Sequence, residues 1–184
     1  MILNNILLSI LMLFSSPEAE MEAKINKAIS FEKAQVMYDN HVGDLYNEIG
    51  LEEYELDYEV FEDAMTGYYN LKSDNKLDES RSIISIIDYT KSSSEKRFYT
   101  IDLEKKEVLF HTYVAHGMRS GTERSTDFSN EIDSHKSSIG FIVTGETYHG
   151  IRGYSLRLDG LDPEYNTNMR ERAVVLHKSD KVNE

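Results

Sequence analysis

The chain has 184 residues, no cysteine and a formal net charge of −13. That length supplies one principal domain with enough apolar material for a core, and the missing cysteine excludes disulfides, thiolate metal sites and a thiol nucleophile among these residues. No stretch is basic enough to neutralise a phosphate backbone, so nucleic acid and anionic membrane surfaces are poor partners.

The first sixteen residues, MILNNILLSILMLFSS, hold an apolar run, Ile6 to Phe14, too short to cross a bilayer and followed by small and polar residues. Residues 1–19 read as a secretory signal peptide, cut after Ser16 or after Ala19, which predicts export and a mature chain without a transmembrane segment. Residues 20–76 form a helical lead. Residues 17–66 carry fourteen acidic and three basic side chains, which makes a solvated acidic face. Apolar residues recur with helical spacing at Ile25, Ala28 and Ile29, then at Phe31, Ala34 and Tyr38, then at Val42, Leu45, Tyr46 and Ile49. Gly50 is the expected C-cap. A further helix carries Tyr58, Phe61, Met65 and Tyr68 on one stripe, with Asp57 as its N-cap, and the two helical segments are expected to pack on the β-rich part of the chain.

The tract SDNKLDES breaks the period, and from residue 77 the pattern turns extended. SIISIID (82–88) suits a strand buried on both faces. Residues 97–102 and 107–115 read as a hairpin around the charged LEKK turn. The section 117–137 has no period, and the segments 138–145, 154–160 and 172–177 supply further strands.

Six histidines accompany many carboxylates, yet none shows the spacing of a metal site, so no metal and no cofactor is expected. No Gly-x-Ser-x-Gly elbow marks a nucleophilic serine. AHGMRSG (115–121) has flanking glycines but no Lys-Ser/Thr, and reads as a tight turn after a strand. His177, at the end of RAVVLH, is either a packing residue satisfied by one backbone carbonyl or a base, and its position alone does not choose.

Taken in order, IIDYTKSSSEKRFYTIDLEKKEVLFHTYVAHGMRSG, DFSNEIDSHKSSIGFIVTGETYHGIRGYSLRLDGLD and RERAVVLH closely resemble the murein L,D-transpeptidase catalytic domain family, in its longer variant with an N-terminal helical lead. The resemblance runs over residues 40–184. It implies an α+β, predominantly β fold, an L,D-transpeptidase-like sandwich or barrel preceded by short acidic helices, with the β domain at 77–184. It also implies chemistry on peptidoglycan stem peptides. A cysteine thiolate attacks the carbonyl of the third stem residue, the terminal D-alanine leaves, and an amine of a neighbouring stem resolves the acyl-enzyme. His177 matches the family's general base, and Tyr148, Arg157 and His116 fall where substrate contacts are expected. Tyr148 as a core tyrosine and Arg157 as an ion-pair partner of Asp159 are the plainer alternatives.

The family's cysteine lies in a loop beyond the histidine strand, and this chain has none. It is therefore expected to be inactive, whether as a fragment, as a stem-peptide-binding module of the cell envelope, or as half of a two-chain site. In place of the family's His-Gly-Ala it has His177, Lys178 and Ser179, which bears on the carbonyl contact that orients the histidine. An incomplete sheet beside RAVVLH predicts self-association through an open strand edge.

Overall fold

The computed structural model describes residues 17–78, 80–179 and 182, so most of the segment read as a signal peptide, 1–16, lies outside the described residues. The chain divides into two compact units, Met1–His41 and Val42–Glu184. Helix α1, Pro17–Ile49, runs through the division. No glycine or proline occurs between Pro17 and Gly43, so nothing interrupts the ladder, and a single helix replaces the short ones expected over 20–49. In the first unit residues 20–41 are exposed except for half-buried Tyr38; Ile25, Ile29 and Phe31 face solvent.

The second unit holds the core. Val42, Leu45 and Ile49 are buried on the last turns of α1, which Gly50 closes in the left-handed conformation at φ 72°. A 3₁₀ turn, Leu51–Tyr54, leads to helix α2, Tyr58–Ser73. Asp57 caps α2 by accepting the Glu59 N–H at 2.8 Å. Phe61 and Met65 are fully buried on the expected stripe, and Tyr46 meets the rings of Tyr58 and Phe61 at 5.4 and 5.8 Å. A Cβ at Gly67 on α2 would stand 1.9 Å from the Phe141 ring, so a larger residue there displaces that ring.

Two three-stranded antiparallel sheets complete the unit, which makes the fold α+β and predominantly β beyond the helices. The first has the order β1 (Ile83–Ile87), β2 (Phe98–Asp102), β3 (Glu107–Thr112). Strand β1 is an edge, with Ile83 and Ser85 exposed and Ile86 buried, so it is not covered on both faces as its composition suggests; an antiparallel sheet keeps one face open. The hairpin β2–β3 forms as expected, and Asp102 fixes its turn by accepting the N–H groups of Glu104 and Lys105 at 3.1 Å.

The second sheet is β4 (Ile142–Gly150), β5 (Gly153–Gly160), β6 (Val175–His177). The strand expected from 138 begins only at Ile142. Gly140 turns at φ 101°, and side chains replace the ladder there: buried Asn166 donates to the carbonyls of Ile139 and Phe141 at 3.0 Å, and Asp162 accepts the Phe141 N–H at 2.6 Å. Strand β6 is likewise shorter than 172–177. Ala173 has φ 55°, and the N–H groups of Ala173 and Val174 bond back to Arg170 and Met169.

Candidate functional site

Antiparallel register places Tyr148 of β4, Ser155 of β5 and His177 of β6 in one row across the second sheet, with their side chains on the same face. All three line a cleft of about 1380 Å³. Residues within 85–90, 114–118 and 125–140 line it as well, so loops remote in sequence from RAVVLH share the space with His177.

His177 is half-buried, and its Nδ1 lies 2.6 Å from the carbonyl of Lys178. A carbonyl only accepts, so Nδ1 carries the proton and donates it, which leaves the Nε2 lone pair free to take a proton. The replacement of the family's His-Gly-Ala by His-Lys-Ser therefore keeps a carbonyl on the ring. Ser155 is buried, and its hydroxyl donates to the Gly153 carbonyl at 3.1 Å.

Tyr148 is half-buried, with the Arg157 guanidinium 4.5 Å from its ring centroid. Arg157 is anchored by Glu146 at 2.9 Å, not by Asp159. Asp159 pairs instead with Arg170, which also reaches both oxygens of Glu146 at 2.9 and 3.1 Å. Hydrogen bonds from Arg170 bring the Glu146 carboxyl from its ordinary 4.5 down to about 2. This network fixes the bulge of β4 between Thr144 and Thr147 and holds Arg157 against Tyr148.

His116 stands apart from that row, beside a smaller recess lined by Ser93, Tyr113 and Thr122. Arg97 donates to its Nδ1 at 2.9 Å, and Nε2 donates to the Gly121 carbonyl at 3.3 Å. Both ring nitrogens are thus spent on orienting the loop after β3. The structure brings Tyr148 and His177 to one cleft, sets Arg157 against Tyr148 outside the cleft lining, and leaves His116 outside the group.

Two arginines that the sequence patterns did not single out hold the aperiodic loops. Arg97 is fully buried and donates to the carbonyls of Lys91 and Val114 as well as to His116, while burial pulls its guanidinium below its ordinary value. Arg172 donates to the carbonyls of Ser129 and Lys136 at 2.5 and 2.6 Å and to the hydroxyls of Ser138 and Ser134 at 2.6 and 3.0 Å. Ser120, also fully buried, accepts the Ser137 N–H at 2.7 Å on its hydroxyl. Ser120 of the 119–125 loop and Ser134, Ser137 and Ser138 of SHKSS are therefore structural ties. An arginine inside an otherwise mixed segment gives no periodic signal, because its partners are carbonyls far away in sequence.

Among the described residues no group of three histidines, aspartates or glutamates could hold a metal ion, and no helix is long and apolar enough to cross a membrane.

The family described as the L,D-transpeptidase catalytic domain matches residues 52–184, nearly all of the second unit. The chain belongs to that family. No curated protein and no solved structure matches it. Membership ties the chain to peptidoglycan and to transferase chemistry at the cell wall.

Proposed function

We propose that the cleft beside β4–β6 binds peptidoglycan stem peptides, with His177 as the general base of an L,D-transpeptidase site whose thiol these 184 residues do not contain. The observation that carries this reading is the row Tyr148, Ser155, His177 on one face of the sheet, with Nδ1 of His177 held by a carbonyl and Nε2 left basic. In the reaction, Nε2 takes the proton of the thiol and the thiolate attacks the carbonyl of the third stem residue. The proton then leaves with the amine of the departing D-alanine. Tyr148, stiffened by Arg157, packs against the stem, and His116 acts by shaping the loop at 116–121.

A second reading is a binding module without turnover, which needs the cleft and no thiol. Both readings include export and a working place in the envelope. They also include self-association through the outer edge of β6, which pairs with no strand among the described residues. The test is calorimetric titration with a tetrapeptide stem, run beside an assay for released D-alanine. The 184-residue chain is expected to bind the peptide and release nothing. Tyr148→Ala weakens binding by about tenfold, the scale of one lost aromatic contact. In a chain extended by the family's cysteine loop, His177→Ala lowers turnover by at least about a hundredfold. Release of D-alanine by the 184-residue chain above a heat-killed control overturns the missing-nucleophile reading, and absence of peptide binding overturns both.

A further inference from the structure

The end of the β4–β5 hairpin has no part in the row of Tyr148 and His177, yet it borders the same cleft. Gly150 pairs with Gly153, so Ile151 and Arg152 form a two-residue turn, which Gly153 closes at φ 84°. The two glycines stand two residues beyond Tyr148 and Ser155 on the same face of the sheet and leave the backbone there bare. The Tyr148 ring lies over that backbone, since a Cβ on Gly150 would meet it at 2.8 Å. Tyr148, Gly150, Ile151 and Arg152 all line the cleft.

Carboxylates outnumber lysines and arginines by 33 to 20 in the chain, yet residues 147–158 contain none. The acids at the base of the hairpin, Glu146 and Asp159, are held by Arg157 and Arg170. Among the cations of the cleft lining, Lys136 pairs with Asp127 at 3.3 Å, and Arg172 spends its guanidinium on residues 129–138. Arg152 is exposed, and its side chain has no hydrogen bond or ion pair among the described residues. The acids of the lining do not serve it. Asp88 is buried and bonded to Thr90, and exposed Asp133 forms no ion pair among the described residues. A guanidinium stays charged at any working pH, and its planar fork of N–H donors fits a carboxylate with two parallel bonds.

We infer that Arg152 anchors a carboxylate subsite at the hairpin end of the cleft, and that the stem peptide places one of its carboxylates there. The second half of that statement rests on the proposed function; the subsite itself stands on the unpaired guanidinium in the lining, the bare strand ends beside it and the lack of an internal acid to neutralise it. Three strand residues, about 10 Å, separate Arg152 from Ser155, the neighbour of His177 in the row. The cleft thus has a base at one end and an anion-holding arginine at the other, about three residues of extended peptide apart.

The test follows the arginine side-chain Nε–H resonances of the full 184-residue chain by NMR as N-acetyl-D-alanine or its uncharged amide is added at equal ionic strength. The Arg152 resonance, assigned by its loss in Arg152→Gln, is expected to move with the acid and to stay in place with the amide. Arg119 is the internal control: it is exposed, its side chain has no partner among the described residues, and it lines neither recess. Its resonance is expected to stay in place with both compounds. No movement of Arg152 with the acid, equal movement of Arg119, or movement of Arg152 with acid and amide alike overturns the subsite.

In a second arm, calorimetric titration compares a tetrapeptide stem with two derivatives, one amidated at its C-terminus and one amidated at its side-chain carboxylates. Loss of the carboxylate that Arg152 holds weakens binding to the parent chain by about tenfold, the scale of one charge-assisted pair, and leaves binding to Arg152→Gln unchanged. The derivative that shows the loss tells whether that carboxylate is terminal or on a side chain. The difference shrinks as salt is raised, because the pair lies at an exposed hairpin end. If the peptides bind and neither amidation separates the parent from Arg152→Gln, the subsite falls and the stem-peptide reading stands. If N-acetyl-D-alanine moves Arg152 alone but no stem peptide binds, the subsite stands and the stem-peptide reading falls.

Discussion

The central strand of the first sheet, β2, buries Tyr99, Ile101 and Asp102, whereas the central strand of the second, β5, buries only Ser155. Both sheets have three antiparallel strands and one irregular step in register. The first spends its side chains on the core: Tyr99 stacks on His111 at 4.5 Å, accepts Lys91 Nζ at 2.9 Å and donates to the Tyr54 carbonyl at 3.2 Å. The second is held by the exposed network of Glu146, Arg157, Asp159 and Arg170 and turns its remaining row of side chains to the cleft. A sheet that has given one face to a core has little freedom to vary that face. A sheet fastened from outside by ion pairs keeps a face free for a ligand.

The largest expected effect separates the two sheets by stability. Tyr99→Ala removes a fully buried ring and is expected to cost about 3–5 kcal/mol in urea unfolding, while Tyr148→Ala, from a half-buried site, costs under about 2 kcal/mol. Comparable losses at the two positions would break the contrast between a core sheet and a site sheet.

A middle-sized effect concerns the loop between the sheets. Arg172→Ala strips four hydrogen bonds from residues 129–138 and is expected to cost about 2–3 kcal/mol. Hydrogen exchange should quicken in 129–138 and stay unchanged in β1–β3. Uniform quickening in both would mean that the loop belongs to the core's cooperative unit.

The smallest effects sharpen the comparison by pH. Burial holds His111 of the first sheet below its ordinary 6.5, so it stays neutral in the folded chain after the unfolded chain has begun to take up a proton. Its contribution is present above pH 6.5 and is lost as pH falls below that value. Glu146 of the second sheet is held at about 2 against an ordinary 4.5, so its contribution is present above pH 4.5 and fades as pH falls towards 2. His111→Phe should flatten the first window of a stability profile and Glu146→Gln the second. A profile in which either variant flattened the other's window would contradict these assignments.

Much of the second unit was legible because it repeats locally. The stripe Phe61 and Met65, the Asp57 cap, the Gly50 stop and the β2–β3 hairpin each arise from spacing within a dozen residues, where periodic burial and turn chemistry leave a visible pattern. The order of motifs also carried the family. Burial on the strands was less legible, since SIISIID reads as a covered strand and only its place at the edge of a sheet exposes Ile83.

What the residues determined by themselves is the chemistry on hand: an acidic chain with no thiol, a histidine closing a strand, and apolar stripes sufficient for a helical lead and two sheets. What only the tertiary structure decided is which of those groups meet. Antiparallel register set Tyr148 and Ser155 beside His177, and loop folding spent His116 on Arg97. Such meetings depend on contacts between segments tens of residues apart, and pairing across that distance leaves no period in the sequence to read.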